Sequence, residues 1–430
     1  MSNKKIYVLD TNVLVESAEA LFHFEDNDIV LPFKVIEELD KLKTRQGTVG
    51  QEARKTIRYL DELRESGVLT EGVKLNHGAM GTLSVKDYRI CCESPDDVII
   101  ETTLKLKGKN KNKEVILITN DLSMRLKADI RGLSTSSFIW EGQPKKFEEI
   151  YSGAMRIELD SELIDKIYKN KKTKLPKKIL EKYDFKPNQF IIGKEGDGPS
   201  VISRFKNDYL HLLKVEDKTT VSGLKPRNKE QRFSLDVLLD PDIKLVTLIG
   251  RAGSGKTLCA VASALEQIQK RKYKRIIISR PIQTLGKDIG YLPGSLYEKL
   301  EPWIQPIKDN LLYLCDGNYR EVQDYFDEGI IEIECLSYIR GRSIPNSFLI
   351  IDETQNLSAT EIKAIITRVG NGSKIVFTGD VEQIDNPYFD PMSNGLTYLI
   401  ERFKDQDISS HIKLIKGERS SLATLASELL

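Results

Sequence analysis

The stretch Val246-Thr-Leu-Ile-Gly250-Arg251-Ala252-Gly253-Ser254-Gly255-Lys256-Thr257 constrains this chain more than any other. Four apolar, β-prone residues run into a glycine-rich turn, and Lys256 and Thr257 then open a run of helix formers. Strand, loop and helix in that order, with the spacing G-x-x-x-x-G-K-T, are what a phosphate-binding loop requires. Backbone N–H groups between Gly250 and Gly255 crowd round a polyphosphate, and the helix N-terminus adds its partial positive charge. Lys256 reaches the β and γ phosphates, and the Thr257 hydroxyl is placed to ligate Mg²⁺. The loop predicts nucleotide binding.

At 430 residues the chain is too long for one ordinary domain. An apolar content of 40% and a charged content of 30% fit a soluble globular protein. The net charge is only +1, so attraction to nucleic acid must come from local clusters. Cys91, Cys92, Cys259, Cys315 and Cys335 form no C-x-x-C pair and have no His at ligand spacing. That pattern argues against a zinc knuckle or a disulfide framework and fits a reducing cytoplasm. No apolar run approaches the length of a membrane span, so neither secretion nor membrane insertion is expected.

The N-terminal part supplies acids in a telling order. Ile6-Tyr-Val-Leu9 is a buried-strand pattern ending on Asp10-Thr11-Asn12, so a carboxylate stands at a strand's C-terminal end. The next helix has its apolar stripe on Val35, Ile36, Leu39 and Leu42, with Glu38 bordering the stripe and Glu37 turned away. Ser94-Pro95 reads as an N-cap and first helical residue, which puts Asp96 on one face with Ile99, Ile100 and Thr103. Asp97 stays open as the alternative. A second apolar strand, Val115–Ile118, ends on Thr119-Asn120-Asp121. Acids so placed suit a pocket for one or two divalent ions, and oxygen-only ligands favour Mg²⁺ or Mn²⁺ over zinc. Such ions support phosphodiester hydrolysis.

In D-T-N at Asp10, V-I-E-E-L through Glu38, D-x-x-I-I at Asp96 and T-N-D ending at Asp121, residues 1–148 resemble the PIN domain family of metal-dependent ribonucleases. The resemblance implies an α/β/α fold and carries the metal-binding carboxylates onto Asp10, Glu38, Asp96 and Asp121, with Thr119 and Asn12 supporting them.

Two basic runs stand out, Lys105–Lys113, expected as a loop before the last strand, and Tyr168–Lys178, at the start of the connecting region. Both are suited to phosphate contact or to plain solvation. Residues 149–227 read as a small β-rich module, with short runs at 189–192, 201–205 and 209–215 punctuated by Gly193, Gly196, Gly198 and Pro199. A small barrel is one closure such hairpins allow, and the module suits an oligonucleotide-binding surface or, equally, a spacer that positions the nuclease.

From 228 to 430 strands and helices alternate, predicting a mainly parallel sheet covered on both faces. Phe348-Leu-Ile-Ile351-Asp352-Glu353 is a Walker B pattern, in which Asp352 holds Mg²⁺ and Glu353 polarises water. Ile375 to Gln383 forms another strand ending at the same edge, with Gln383 placed to sense the γ-phosphate. Arg280, Arg340, Arg342 and Arg419 all lie near turns, and spacing alone does not choose an arginine finger among them.

G-R-A-G-S-G-K-T, I-S-R-P, D-I-G-Y-L-P-G at Asp288–Gly294, Y-I-R-G-R, I-I-D-E-T-Q-N, T-G-D-V-E-Q-I-D and G-E-R-S make this part resemble the PhoH family of ATPases. Ser254 stands where that family often has Thr. The resemblance implies a RecA-like P-loop fold, adenine contact by Gln231 and Arg419 as the finger. The tandem arrangement resembles PIN-PhoH fusion proteins, which implies an ATP-dependent RNA helicase coupled to cleavage of single-stranded RNA. With one ATPase core per chain, the missing face of the site must come from a neighbouring subunit, and the resemblance implies a homo-hexamer ring. The competing expectations are a nucleotide-gated ribonuclease without unwinding and an RNA-remodelling ATPase scaffold with negligible cutting.

Overall fold

The computed structural model describes residues 4–45, 48–75, 81–92, 94–138, 149–196, 198–281, 296–336, 342–385, 389, 391–392 and 394–417. The chain divides into two compact units, Met1–Glu141 and Gly142–Leu430.

The first unit is built on six strands: β1 (Ile6–Leu9), β2 (Asp28–Pro32), β3 (Val73–Lys74), β4 (Thr82–Lys86), β5 (Val115–Ile118) and β6 (Ser134–Ser136). Their spatial order is β3-β4-β2-β1-β5-β6, parallel except where β3 meets β4. All four residues of β5 are buried, as a central strand covered on both sides demands. The register pairs Leu9 with Ile118, so the residues that follow, Asp10 and Thr119, emerge side by side at the C-terminal edge. The run Lys105–Lys113, expected as a loop, is helical as far as Lys109, within the helix Pro95–Lys109. Cations in the last turn complement the helix dipole, which accounts for the extension. Lys107 also donates to the Gly132 carbonyl, at 2.7 Å.

The second unit holds two sheets. Five strands, β7 (Ala154–Glu158), β8 (Lys172–Lys174), β9 (Phe190–Lys194), β10 (Ser200–Lys206) and β11 (Tyr209–Leu212), lie in the order β7-β9-β10-β11-β8. β7 and β8 are its edges, so the module is an open sheet and the barrel expectation is corrected. One face packs on the helix Ser161–Asn170 through Ile164 and Ile167. The other leans on the ATPase-like part, where Phe190 stacks on Phe233 with ring centroids 4.3 Å apart. Buried Arg204 of β10 lies between Asp236, at 3.3 Å, and Asp240. A buried guanidinium is tolerated because two carboxylates neutralise it.

The larger sheet comprises β12 (Leu245–Gly250), β13 (Arg275–Ser279), β14 (Ile331–Ile333), β15 (Ser347–Ile351), β16 (Lys374–Gly379) and β17 (Ser409–Leu414), in the order β14-β13-β15-β16-β12-β17. All its pairings are parallel. Alternation along each strand sorts the apolar residues into two cores. Val246, Leu248, Phe348, Ile350 and Val376 pack with the helix Lys256–Gln269. Leu245, Ile249, Leu349, Ile351 and Phe377 pack with the helices Ala359–Ile366 and Gly395–Phe403. The sheet is therefore buried on both faces, and what the strands deliver chemically appears at their C-terminal ends.

Candidate functional site

Asp10 is the N-cap of the helix Thr11–Glu16 and is only 6% exposed. One carboxylate oxygen accepts from the Thr11 N–H at 2.6 Å, and the other from the Thr119 hydroxyl at 2.6 Å. Burial pushes its carboxyl up to about 7, opposed by the Thr119 and Thr11 hydrogen bonds and reinforced by the negative charges of Glu38 and Asp96. Those three acids thus share one electrostatic environment. The Thr11 hydroxyl donates to Glu38, while Glu37 pairs outward with Lys34 at 2.8 Å, as the helical stripe predicts. Asn12 donates to the Thr119 hydroxyl at 3.0 Å and accepts from the Asn120 N–H at 3.2 Å, tying the ends of β1 and β5 together.

The two neighbouring aspartates separate in space. Asp97 accepts from the Ser94 hydroxyl at 2.7 Å and pairs with Arg131 at 3.1 Å, contacts that hold it below its ordinary range. Asp96 faces Asp10 electrostatically and has Lys127 at 3.3 Å. Asp121 is exposed, and its Oδ1 caps the helix Leu122–Ile130 through the Ser123 and Met124 N–H groups at 2.7 and 3.1 Å. Its own N–H donates to the Thr119 hydroxyl at 3.1 Å. Among the described residues no three acids, His or Cys stand close enough to enclose a metal ion as the side chains lie. Mutual repulsion opposes closer approach of Asp10, Glu38 and Asp96, and a divalent cation reverses its sign. Asp10, raised mainly by burial and further by Glu38 and Asp96, forms with those two acids an oxygen donor set that fits such a cation.

In the second unit the parallel register brings the ends of β12, β13, β15 and β16 to one edge, pairing Ser279 with Ile351, Ile351 with Phe377, and Ile249 with Gly379. The phosphate loop fills the gap between β12 and the helix Lys256–Gln269. A Cβ at Gly250 would lie 2.3 Å from the Leu414 carbonyl oxygen, and Gly255 sits at φ +91°. Both positions need glycine. Lys256 donates to the carbonyls of Gly250 and Arg251, which stand where phosphate oxygens would compete for it. The Ser254 hydroxyl is buried with no hydrogen-bond partner among the described residues. Gln231 is buried, its amide 3.2 Å from the Ser254 carbonyl oxygen, so it braces the loop. Arg251 turns to Glu382 at 2.8 Å.

Asp352 accepts from the Thr257 hydroxyl at 3.0 Å and from the Thr378 hydroxyl. The two motifs read from sequence are therefore in contact. Glu353 follows in the left-handed region at φ +52°, an uncommon conformation for a non-glycine residue. Arg280 donates to its Oε1 at 3.1 Å and Gln355 to its Oε2 at 2.6 Å. Gln355 also donates to the Gln383 carbonyl at 2.9 Å and accepts from the Asp380 N–H at 3.0 Å. Asp380 accepts from the Ala252 N–H of the phosphate loop at 2.9 Å. Gln355 and Asp380 were not singled out from sequence, although both lie inside the motifs quoted there. Their burial among polar groups is the signal, and burial is not readable from spacing. The Gln383 side chain is exposed. Arg342 pairs with Glu334, whereas Arg340, Arg419 and Asp288–Gly294 lie outside the described residues.

Among the described residues no helix is long and apolar enough to cross a membrane. The PIN domain family matches residues 7–139 and the PhoH-like protein family residues 223–425. The chain is 42% identical to protein PhoH2 of Bacillus subtilis, covering 99% of this chain and 100% of that protein. It is 32% identical to protein PhoH2 of Mycolicibacterium smegmatis over 99% and 97% of the two chains. With protein PhoH2 of Thermobispora bispora the identity is 30% over 99% and 96%. A nuclease-like domain and an ATPase-like domain thus occur in one polypeptide that aligns end to end with these relatives, and the chain belongs to the PhoH2 family of PIN-PhoH fusion proteins.

Proposed function

We propose that this protein is an ATP-dependent RNA helicase and metal-dependent endoribonuclease of single-stranded RNA. The observation that carries the reading is the presence, in one chain, of a joined Walker constellation and a buried carboxylate flanked by two more.

In the ATPase, Lys256 exchanges its carbonyl partners for the β and γ phosphates, and Thr257 with Asp352 would hold Mg²⁺. Arg280 and Gln355 each occupy one Glu353 oxygen and leave each a free lone pair, so together they hold the carboxylate in place to orient the attacking water. Through Gln355 the hydrolytic group is tied to the residues that follow β16, the route by which hydrolysis would be coupled to movement. Arg419 of a neighbouring subunit completes the site in a homo-hexamer ring. In the nuclease, Asp10, Glu38, Asp96 and Asp121 would hold Mg²⁺ or Mn²⁺, with Thr119 and Asn12 orienting Asp10. A divalent cation there supplies charge neutralisation at the scissile phosphate and lowers the pKa of water. Asp10 anchors that arrangement because strand and helix fix its backbone on both sides.

The decisive experiment uses duplex RNA with a single-stranded tail. Asp10→Asn protein is expected to separate strands with ATP and cut nothing, and Lys256→Ala protein to cut the tail without separating strands. ATP hydrolysis with no strand separation by Asp10→Asn would leave a nucleotide-gated nuclease. Cutting that persists undiminished in Asp10→Asn would remove the nuclease assignment.

A further inference from the structure

Between Asp165 and Glu181 the chain carries seven lysines and no carboxylate. The fold places the middle of this run on β8, where alternation turns Lys172 and Lys174 to the same face and Thr173 to the other. β11 lies alongside, with Tyr209 paired to Lys174 and His211 to Lys172. The Lys172 ammonium sits 4.4 Å from the centre of the Tyr209 ring and that of Lys174 6.0 Å from it. Both lysines are exposed and Tyr209 is half-buried. Neighbouring cations on the face are already neutralised, Arg204 by Asp236 and Asp240, and Lys206 by Asp242 at 3.0 Å. Lys172 and Lys174 have no carboxylate partner among the described residues. His211 is held below its ordinary range, first by burial and then by Lys172, Arg204 and Lys206.

We propose that this edge, Lys172, Lys174, Tyr209 and His211, is a binding surface for single-stranded nucleic acid, distinct from both candidate catalytic centres. The chemistry is that of an aromatic platform flanked by cations. An exposed cation–π contact is weaker than a base–aromatic stack, so a base takes the Tyr209 ring while the two ammonium groups move to its phosphates. An acidic protein would engage the lysines with no use for the ring. The inference rests on the reading of RNA as substrate and gives that substrate a holding site.

The test is fluorescence anisotropy of the full-length protein with a labelled oligouridine of about 12 nucleotides, in EDTA to prevent cutting. Lys172→Glu with Lys174→Glu is expected to weaken binding at least roughly tenfold and to flatten the salt slope by about 1.4, at about 0.7 per lost phosphate contact. Tyr209→Ala is expected to weaken it about tenfold, and Tyr209→Phe, which keeps the ring, to bind within about twofold of wild type. RNA-independent ATP hydrolysis and thermal melting should match wild type in all of these variants. Wild-type binding retained by the lysine and alanine variants overturns the surface and leaves the RNA reading intact. Tyr209→Phe as weak as Tyr209→Ala overturns the stacking role. Failure of the wild-type protein to bind the oligomer defeats the RNA reading and the surface with it.

Discussion

The two candidate centres are built on the same plan, acids at the C-terminal ends of parallel strands, yet they hold those acids in opposite ways. In the ATPase-like unit each functional carboxylate is braced by a donor: Asp352 by Thr257 and Thr378, Glu353 by Arg280 and Gln355, Asp380 by the Ala252 N–H. In the PIN-like unit Asp10 also has two donors, but burial, with the charges of Glu38 and Asp96 added, raises its pKa to about 7. The polypeptide alone organises the first centre. The second gathers negative charge that a bound cation would neutralise, and its acids should respond to metal more than those of the first.

The largest expected effect separates the centres outright. Lys256→Ala should lower ATP hydrolysis by about 10³-fold, in the range seen when a transition-state charge stabiliser is removed, with metal-dependent cutting of unstructured RNA unchanged. Asp10→Asn should do the reverse, and loss of both activities in either variant would break the division.

A second effect concerns the frame behind the ATPase. Lys374 is buried, and its side-chain nitrogen lies within hydrogen-bonding distance of the carbonyls of Val237, Leu238 and Asp240, at 2.9, 2.6 and 2.7 Å, closing the C-terminal end of the helix Lys229–Leu239. Lys374→Met should destabilise the C-terminal unit by roughly 3 kcal/mol, since buried carbonyls lose their donor, with the melting of the N-terminal unit unmoved. Burial holds Lys374 down at about 7 against an ordinary 10.5. The unfolded chain therefore binds more protons between those values, and wild-type stability should rise with pH across that window relative to the variant. Parallel stability curves from pH 7 to 10 would refute this.

Metal sharpens the contrast at a similar size. Mn²⁺ at about a hundred times its dissociation constant should stabilise the N-terminal unit by about 2.7 kcal/mol, read as a higher melting temperature, and Asp10→Asn should abolish that rise. An equal rise in the variant would move the ion elsewhere. The smallest effect is on Gln355, whose replacement by Leu should slow ATP turnover about tenfold with KM for ATP within about twofold, because it positions Glu353 and does not bind nucleotide. A change confined to KM would contradict that role.

Much of this was legible beforehand, for identifiable reasons. Glu38 was chosen over Glu37 from a helical stripe, and Thr11 and Lys34 divide the two glutamates accordingly. Asp96 and Asp97 stayed open because neighbours on a helix differ only in what lies opposite, and Arg131, which takes Asp97, arrives 34 residues later. Lys105–Lys113 was read by composition as a loop, whereas its lysines extend a helix. Tyr209 beside Lys172 was invisible, since strand pairing and not sequence proximity supplies the ring.

By itself the sequence determined the phosphate loop, the Walker B strand and the order of the N-terminal acids. These depend on contiguous residues, whose spacing along a strand, turn or helix is set by covalent geometry. Tertiary structure alone decided which acid faces Asp10, that Gln355 joins Glu353 to Asp380, and that the open β-sheet shares a core with the ATPase-like part. Those outcomes turn on the register between strands and on burial, and both arise only when distant segments exclude water together.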